Sequence, residues 1–187
     1  MKIITIYDQI QSGMGTKDDK MLPLGGKNVP IGPSVMMEPF LKEIGAKVVA
    51  CLYCGNGTYL NDKETVSKKL CNKIQKLHPD VVICGPAFNY KDYAQMCAEI
   101  TADINKSTDV PAIASMSDEN EEIIKKFKDS IYIVKCPKKG EAGLNSALQN
   151  ICKAVKSLAF HENIENIKEL FLRYLIEHIL YIPEFKK

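Results

Sequence analysis

Five short apolar runs rich in β-branched residues, at 2–7, 47–53, 80–84, 110–115 and 130–136, punctuate the chain. Several are continuously apolar and do not alternate, the pattern of parallel strands covered on both faces. Between them, apolar residues recur at helical spacing: Val66, Leu70, Ile74 and Leu77; then Tyr93, Cys97, Ile100 and Ile104; then Leu144, Leu148, Ile151, Val155 and Leu158. Asn61, with Glu64 three residues on, resembles a capping box ahead of the first stripe. Strand followed by helix, five times over with right-handed crossovers, predicts a doubly wound α/β fold. The sheet is expected to be mainly parallel and five-stranded, Rossmann-like or flavodoxin-like, over residues 1–160.

Two segments depart from this rhythm. Residues 12–34 hold Gly13, Gly15, Pro23, Gly25, Gly26, Pro30, Gly32 and Pro33, and form a connection far longer than the roughly 2–6 residues usual after a strand. It reads either as a lid over the end of the first strand or as a surface excursion. Pro33 suits a first helical position, whereas Pro39 would fall inside the same helix, so a kink or a delayed start is expected. The last segment, within a helical extension over 161–187, is apolar at Ile164, Ile167, Leu170, Phe171, Tyr174, Leu175 and Ile179, and also at Leu172, Ile176 and Leu180. An arc this wide exceeds one core-facing stripe. It fits a self-associating helix that would make the protein a homo-oligomer, or a helix buried deeply against its own sheet.

Length supports one core, since a globule of 187 residues buries roughly 70% of the surface of its unfolded chain. The seven cysteines are odd in number, scattered and mostly set in apolar runs, which points to free thiols in a reducing compartment. With a formal charge of +2 and interspersed signs, there is no basic footprint for nucleic acid. The densest apolar stretch, 170–182, is too short to span a membrane and contains Arg173, Glu177 and His178. Met1-Lys2 leads directly into a five-residue apolar strand without a secretory signal pattern, and a cytoplasmic location is expected.

In open α/β sheets ligands sit beyond the carboxyl ends of the strands, near the point where the winding reverses. Three clusters qualify. Asp8, Gln9 and Gln11 follow the first strand and offer a carboxylate and two amides, for a polar small molecule or for turn chemistry. Cys54-Gly55-Asn56-Gly57-Thr58 offers close backbone approach at Gly55 and polar contacts from Asn56 and Thr58. Cys54 is the candidate nucleophile or redox thiol, though no basic partner lies near it in sequence and a structural thiol fits equally. Cys51 and Cys54 spell C-x-x-C, but on a strand such side chains point to opposite faces, beyond disulfide reach. Third, Gly85-Pro86-Ala87-Phe88-Asn89 leaves its strand through a stiff turn into a helix that Asn89 would cap, and the helix-start amides would hold a carboxylate. The ring of Phe88 or Tyr93 would face a quaternary ammonium, with Tyr93 equally placed for the core.

Several machineries are missing. No G-x-G-x-x-G follows the first strand and no G-x-x-x-x-G-K-[ST] occurs, so neither a dinucleotide nor a nucleoside triphosphate is expected. His78, His161 and His178 lie far apart and form no zinc spacing. The first loop lacks the Ser/Thr-rich phosphate cradle of a flavodoxin. No metal and no cofactor are expected.

Taken together, Ile6-Tyr7-Asp8-Gln9-Ile10-Gln11-Ser12-Gly13, Val29-Pro30-Ile31-Gly32-Pro33, Tyr53-Cys54-Gly55-Asn56 and Cys84-Gly85-Pro86-Ala87-Phe88-Asn89-Tyr90 resemble a known family. They are similar, in order and spacing from about residue 1 to 160, to the N-terminal part of the selenoprotein B subunit of glycine, sarcosine and betaine reductases. After Asn89 the family tends to a glycine-rich continuation, where this chain has Tyr90-Lys91-Asp92-Tyr93. The resemblance implies reductive C–N cleavage in anaerobes. In that system a pyruvoyl-bearing partner holds the substrate amino group, and the selenium of protein B passes a carboxymethyl group to a second selenoprotein. The family's selenocysteine belongs to a later region with no counterpart in these 187 residues. A binder of a small amino-acid-like or betaine-like substrate, working with reductase-complex subunits, is therefore expected. Two other readings stay open: a non-catalytic scaffold or partner subunit with a vestigial crevice, and an independent thiol enzyme using Cys54.

Overall fold

The computed structural model describes residues 1–162 and sets β1 (Lys2–Tyr7) at the middle of a six-stranded sheet. The other strands are β2 (Gly25–Lys27), β3 (Lys47–Tyr53), β4 (Val81–Cys84), β5 (Ala112–Met116) and β6 (Tyr132–Lys135). Their spatial order is β2-β3-β1-β4-β5-β6, with only β2 antiparallel. Every residue of β4 and β5 is buried, as their unbroken apolar sequences require of strands covered on both faces.

The helices are α1 (Pro33–Glu43), α2 (Asn56–Asn61), α3 (Lys63–Leu77), α4 (Lys91–Ser107), α5 (Glu121–Phe127) and α6 (Leu144–Ala159). α1 packs with α6, while α4 packs with α2, α3 and α5. The result is the expected doubly wound α/β architecture, three layers deep. Without β2, the strands follow the flavodoxin-like order 2-1-3-4-5. Among the described residues no helix is long and apolar enough to cross a membrane. The apolar segment beyond 163, expected to self-associate, lies outside the described residues.

A hydroxyl network docks α1 onto the sheet. Thr5, fully buried at mid-strand, donates to Cys51 Sγ at 3.1 Å and shares a hydrogen bond with Ser34 Oγ at 3.0 Å. Ser34 Oγ also meets Tyr7 Oη at 2.5 Å, so three buried hydroxyls in the first turn of α1 and in β1 satisfy one another. Tyr93 Oη on α4 donates to the Ile6 carbonyl at 3.0 Å, an equivalent tie on the other side of β1.

Three local expectations change. The sheet gains a sixth strand, β2, inside the 12–34 excursion: its sequence, Gly-Gly-Lys, carries no apolar pattern, and it pairs only because β3 offers a free edge. Asn61 does not start a helix, because it is the last residue of α2. Asp62 caps α3 instead, its carboxylate accepting the Thr65 N–H at 3.2 Å. α1 begins at Pro33 without delay and carries Pro39 within it, on the exposed side.

The excursion is pinned at several points. The carbonyl of Leu22 accepts the Gly55 N–H at 2.8 Å and Thr58 Oγ1 at 2.9 Å, and the carbonyl of Lys20 accepts the Thr58 N–H at 3.0 Å. Lys20 also reaches Asp92 in the first turn of α4, at 3.6 Å. The segment therefore lies directly on the start of α2. Gly55 has ordinary backbone angles (φ −63°), yet a Cβ there would stand 1.9 Å from the Lys20 carbonyl oxygen. Space, and not conformation, demands glycine. Gly55→Ala is expected to push the 16–24 segment off α2, at a cost of about 1–3 kcal/mol. Hydrogen exchange would read this as faster exchange at the Thr58 amide with unchanged protection in β1 and β4; unaltered Thr58 exchange would contradict the packing described.

Candidate functional site

The winding reverses at β1: its crossover leads to β3 on one side, and the chain then returns past it to β4 on the other. Two parallel strands whose connections diverge leave a crevice at their carboxyl ends. Asp8, Gln9 and Gln11 leave β1 there, Cys54 and Asn56 leave β3, and residues 85–89 leave β4.

Four side chains from the first two clusters are buried nine-tenths or more: Asp8 (0% exposed), Gln9 (0%), Gln11 (8%) and Asn56 (7%). Each is only partly satisfied. Asp8 Oδ1 accepts the Gln11 N–H at 2.7 Å, and Oδ2 has no partner within the protein. Gln9 Oε1 accepts the Asn56 N–H at 3.1 Å, which orients its amide and leaves Nε2 unpaired. Gln11 Nε2 and Asn56 Oδ1 also lack protein partners. Leaving a buried polar atom unpaired costs about 1–3 kcal/mol. Two acceptors and two amide donors thus lie buried and unpaired on residues that leave the ends of β1 and β3.

Electrostatics follow from the burial. Loss of hydration pushes the Asp8 carboxyl up to about 6, against the main-chain N–H groups of Gln11 and Ile10 and the charge of Lys139, all of which favour the anion. The Cys54 thiol, wholly buried, is pushed up to about 12, chiefly by burial and further by the Asp8 carboxylate. Its environment therefore holds the proton on sulfur at neutral pH. All seven cysteines, Cys51 included, are free and buried.

The third cluster is shaped by the next loop along. Gly85 (φ 118°) and Pro86 are buried, and a Cβ on Gly85 would stand 2.5 Å from the Ser115 carbonyl oxygen, so β5 passes too close for any side chain. Phe88 holds a left-handed backbone (φ 51°), its carbonyl accepting from the Ser117 N–H at 2.8 Å and from Asn120 Nδ2 at 2.7 Å. Asn89 does not cap α4: the cap position is Tyr90, and the exposed Asn89 accepts the Lys139 N–H at 3.1 Å. Phe88 faces the Lys139 ammonium at 5.6 Å, and Tyr93 is buried in the core.

Of the residues expected from sequence, the structure brings Asp8, Gln9, Gln11, Cys54 and Asn56 together at one crevice. The amide of Gly55 and both polar groups of Thr58 are taken up by the 20–22 segment. Lys139, in the loop after β6, was not among the expected residues; its charge favours the Asp8 anion. Among the described residues no group of His, Cys, Asp and Glu is arranged to hold a metal ion.

The model of the family glycine/sarcosine/betaine reductase selenoprotein B matches residues 1–177. The glycine reductase complex component B subunit gamma of Carboxydothermus hydrogenoformans is 31% identical over 108 residues, covering 58% of this chain and 24% of its own. The sarcosine reductase complex component B subunit beta of Peptoclostridium acidaminophilum is 24% identical over 159 residues, covering 85% of this chain and 36% of its own. The same organism's betaine reductase complex component B subunit beta is 28% identical over 110 residues, covering 57% and 24%. The chain spans about a quarter to a third of the length of these curated relatives. No solved structure matches it.

Two outcomes are expected from this geometry. Because the folded carboxyl of Asp8 titrates near 6 and the unfolded one near 3.8, the native state binds the proton more tightly between those values. The stability tied to Asp8 is thus fully present below about pH 4 and lost as pH rises through 6. Asp8→Asn should remove that loss and raise stability above pH 6, by on the order of 3 kcal/mol, with little change at pH 4; urea unfolding at both pH values measures it. Separately, iodoacetamide at neutral pH should modify native Cys54 at least about a hundredfold more slowly than a free thiol. Peptide mapping before and after unfolding gives the rates.

Proposed function

The chain belongs to the glycine/sarcosine/betaine reductase selenoprotein B family, and we propose that its crevice binds a small amino-acid-like or betaine-like molecule as the substrate-holding part of a reductive C–N cleavage system. The observation that carries this reading is the set of unpartnered polar atoms on Asp8, Gln9, Gln11 and Asn56, sealed at the winding reversal of the sheet. An ammonium donates N–H to Asp8 Oδ2 and Asn56 Oδ1, and a carboxylate accepts from Gln9 Nε2 and Gln11 Nε2. A ligand with at least one N–H completes both acceptors. A quaternary ammonium has none to give, and the Phe88 ring already carries Lys139.

In this reading the protein binds and orients while other components supply the bond-breaking chemistry. The names of its relatives describe them as components of reductase complexes, and we place this chain in such a complex, in the reducing cytoplasm that its buried free thiols suit. Cys54 serves as a neutral wall of the site, its thiol held protonated beside Asp8, and not as the nucleophile that its position in the sequence suggested.

The test is a thermal-shift screen of the purified chain against glycine, sarcosine, betaine and related amines. Saturable stabilisation is expected for N–H-bearing amino acids, weaker for betaine, and lost in Asn56→Ala. Because an ammonium favours the ionised Asp8 carboxyl, affinity should fall as pH drops below about 6. A flat screen across all compounds would dismiss the ligand site and leave a non-catalytic partner subunit as the better account.

A further inference from the structure

The stretch from the end of β6 into the following loop carries three lysines, and their surroundings differ. Lys135 is paired with Asp118 at 2.5 Å. Lys138 is held by Glu119 at 3.2 Å and Glu141 at 3.5 Å. Among the described residues, Lys139 has no carboxylate at ion-pair distance. Its main-chain N–H is tied to Asn89 Oδ1 at 3.1 Å, and its ammonium stands 5.6 Å from the centre of the Phe88 ring. That ring is fixed in turn. Phe88 is buried, and its left-handed backbone is held by donors from Ser117 and Asn120 on the loop after β5. Such a conformation persists at a non-glycine residue only where the surroundings over-determine it.

The same ammonium lies within electrostatic reach of the Asp8 carboxyl, which it draws toward the anion. The turn after β4 and the loop after β6 thus hold an exposed cation against an aromatic face, beside the strand that leads into Asp8. The residues that follow β1 and β3 hold two unpaired acceptors and two unpaired amide donors. A simple anion would meet the donors and Lys139 but also the Asp8 carboxylate. A simple cation would satisfy Asp8 but be repelled by Lys139. A molecule bearing both charges complements every group.

We propose that Lys139 is the specificity-determining residue of this crevice, pairing with the carboxylate of a zwitterion whose ammonium docks on Asp8 and Asn56. The proposal rests on the reading of the crevice as a ligand site given above. It adds a residue from the fifth parallel strand to a site otherwise built by the ends of β1 and β3. It also gives Asn89 a role: its side chain places Lys139 and does not touch the ligand.

Calorimetric titration of the full chain with glycine, sarcosine and methylamine, which has the ammonium and no carboxylate, tests it in wild type, Lys139→Ala and Lys139→Arg. The Asn89 tie uses the main chain of Lys139 and survives both substitutions. Lys139→Ala should weaken glycine and sarcosine about tenfold or more, leave methylamine unchanged or tighter, and be rescued to within about threefold by Lys139→Arg. Amino-acid affinity within about twofold of wild type in Lys139→Ala would overturn the role of Lys139 while leaving the crevice intact. Equal loss for amino acids and methylamine would overturn it as well, reducing Lys139 to a structural support. A wild-type chain that binds none of the probes removes the ligand site itself, and this inference with it.

Discussion

Pairing of β1 on both edges, to β3 at Lys2–Tyr7 and to β4 over Ile3–Ile6, is the constraint from which the rest of the molecule follows. A strand hydrogen-bonded on both sides and covered on both faces can end only by sending its next residues out past the sheet. Asp8 is that next residue. It leaves between two neighbours whose own connections run in opposite directions, the place where open α/β sheets form a crevice. The ties from Tyr7 to Ser34 and from Tyr93 to the Ile6 carbonyl anchor β1 to a helix on each face. The floor of the crevice is therefore rigid.

Polar groups on β1 and just beyond it are treated in two opposite ways. Below the carboxyl end, Thr5, Tyr7, Ser34 and Cys51 close on one another, and the buried hydroxyls cost little. One turn further, Asp8, Gln9, Gln11 and Asn56 are as deeply buried yet half-satisfied. A fold able to build the first network was able to complete the second. It does not, and the unpaired atoms lie where an open α/β sheet presents its strand ends, which is what the proposed binding reading rests on. The raised carboxyl of Asp8 and the silenced thiol of Cys54 are further consequences of the same burial.

The long connection between β1 and β3 is where structure and function meet. It is ordered through carbonyls of Lys20 and Leu22 that hold the backbone of Gly55 and Thr58, so the strand-end cluster after β3 is committed to shaping the crevice wall. The family relationship covers nearly all of the chain while the chain covers about a quarter to a third of its relatives. This domain thus corresponds to one part of those proteins.

Much of this was legible in the sequence, for a definite reason. Strands buried on both faces write themselves as continuous β-branched runs, and all five parallel strands fall within two residues of their apolar patterns. That Asp8, Gln9, Gln11 and Asn56 leave the ends of β1 and β3 was legible because the apolar runs mark where those strands stop. Other features have no local signal. β2 is two glycines and a lysine that form a strand because β3 has an open edge. Asn61 and Asp62 are equally good caps by type, and only the extent of α2 decides between them. Asn89 has a capping residue's chemistry but is drawn to a loop 50 residues away, and Lys139 is one lysine among many until its neighbours are seen to be neutralised. By itself the sequence determined what depends on periodicity and burial, because those are written in consecutive residues. The tertiary structure alone decided which polar groups find partners, because pairing is a property of distance between segments that the chain order does not encode.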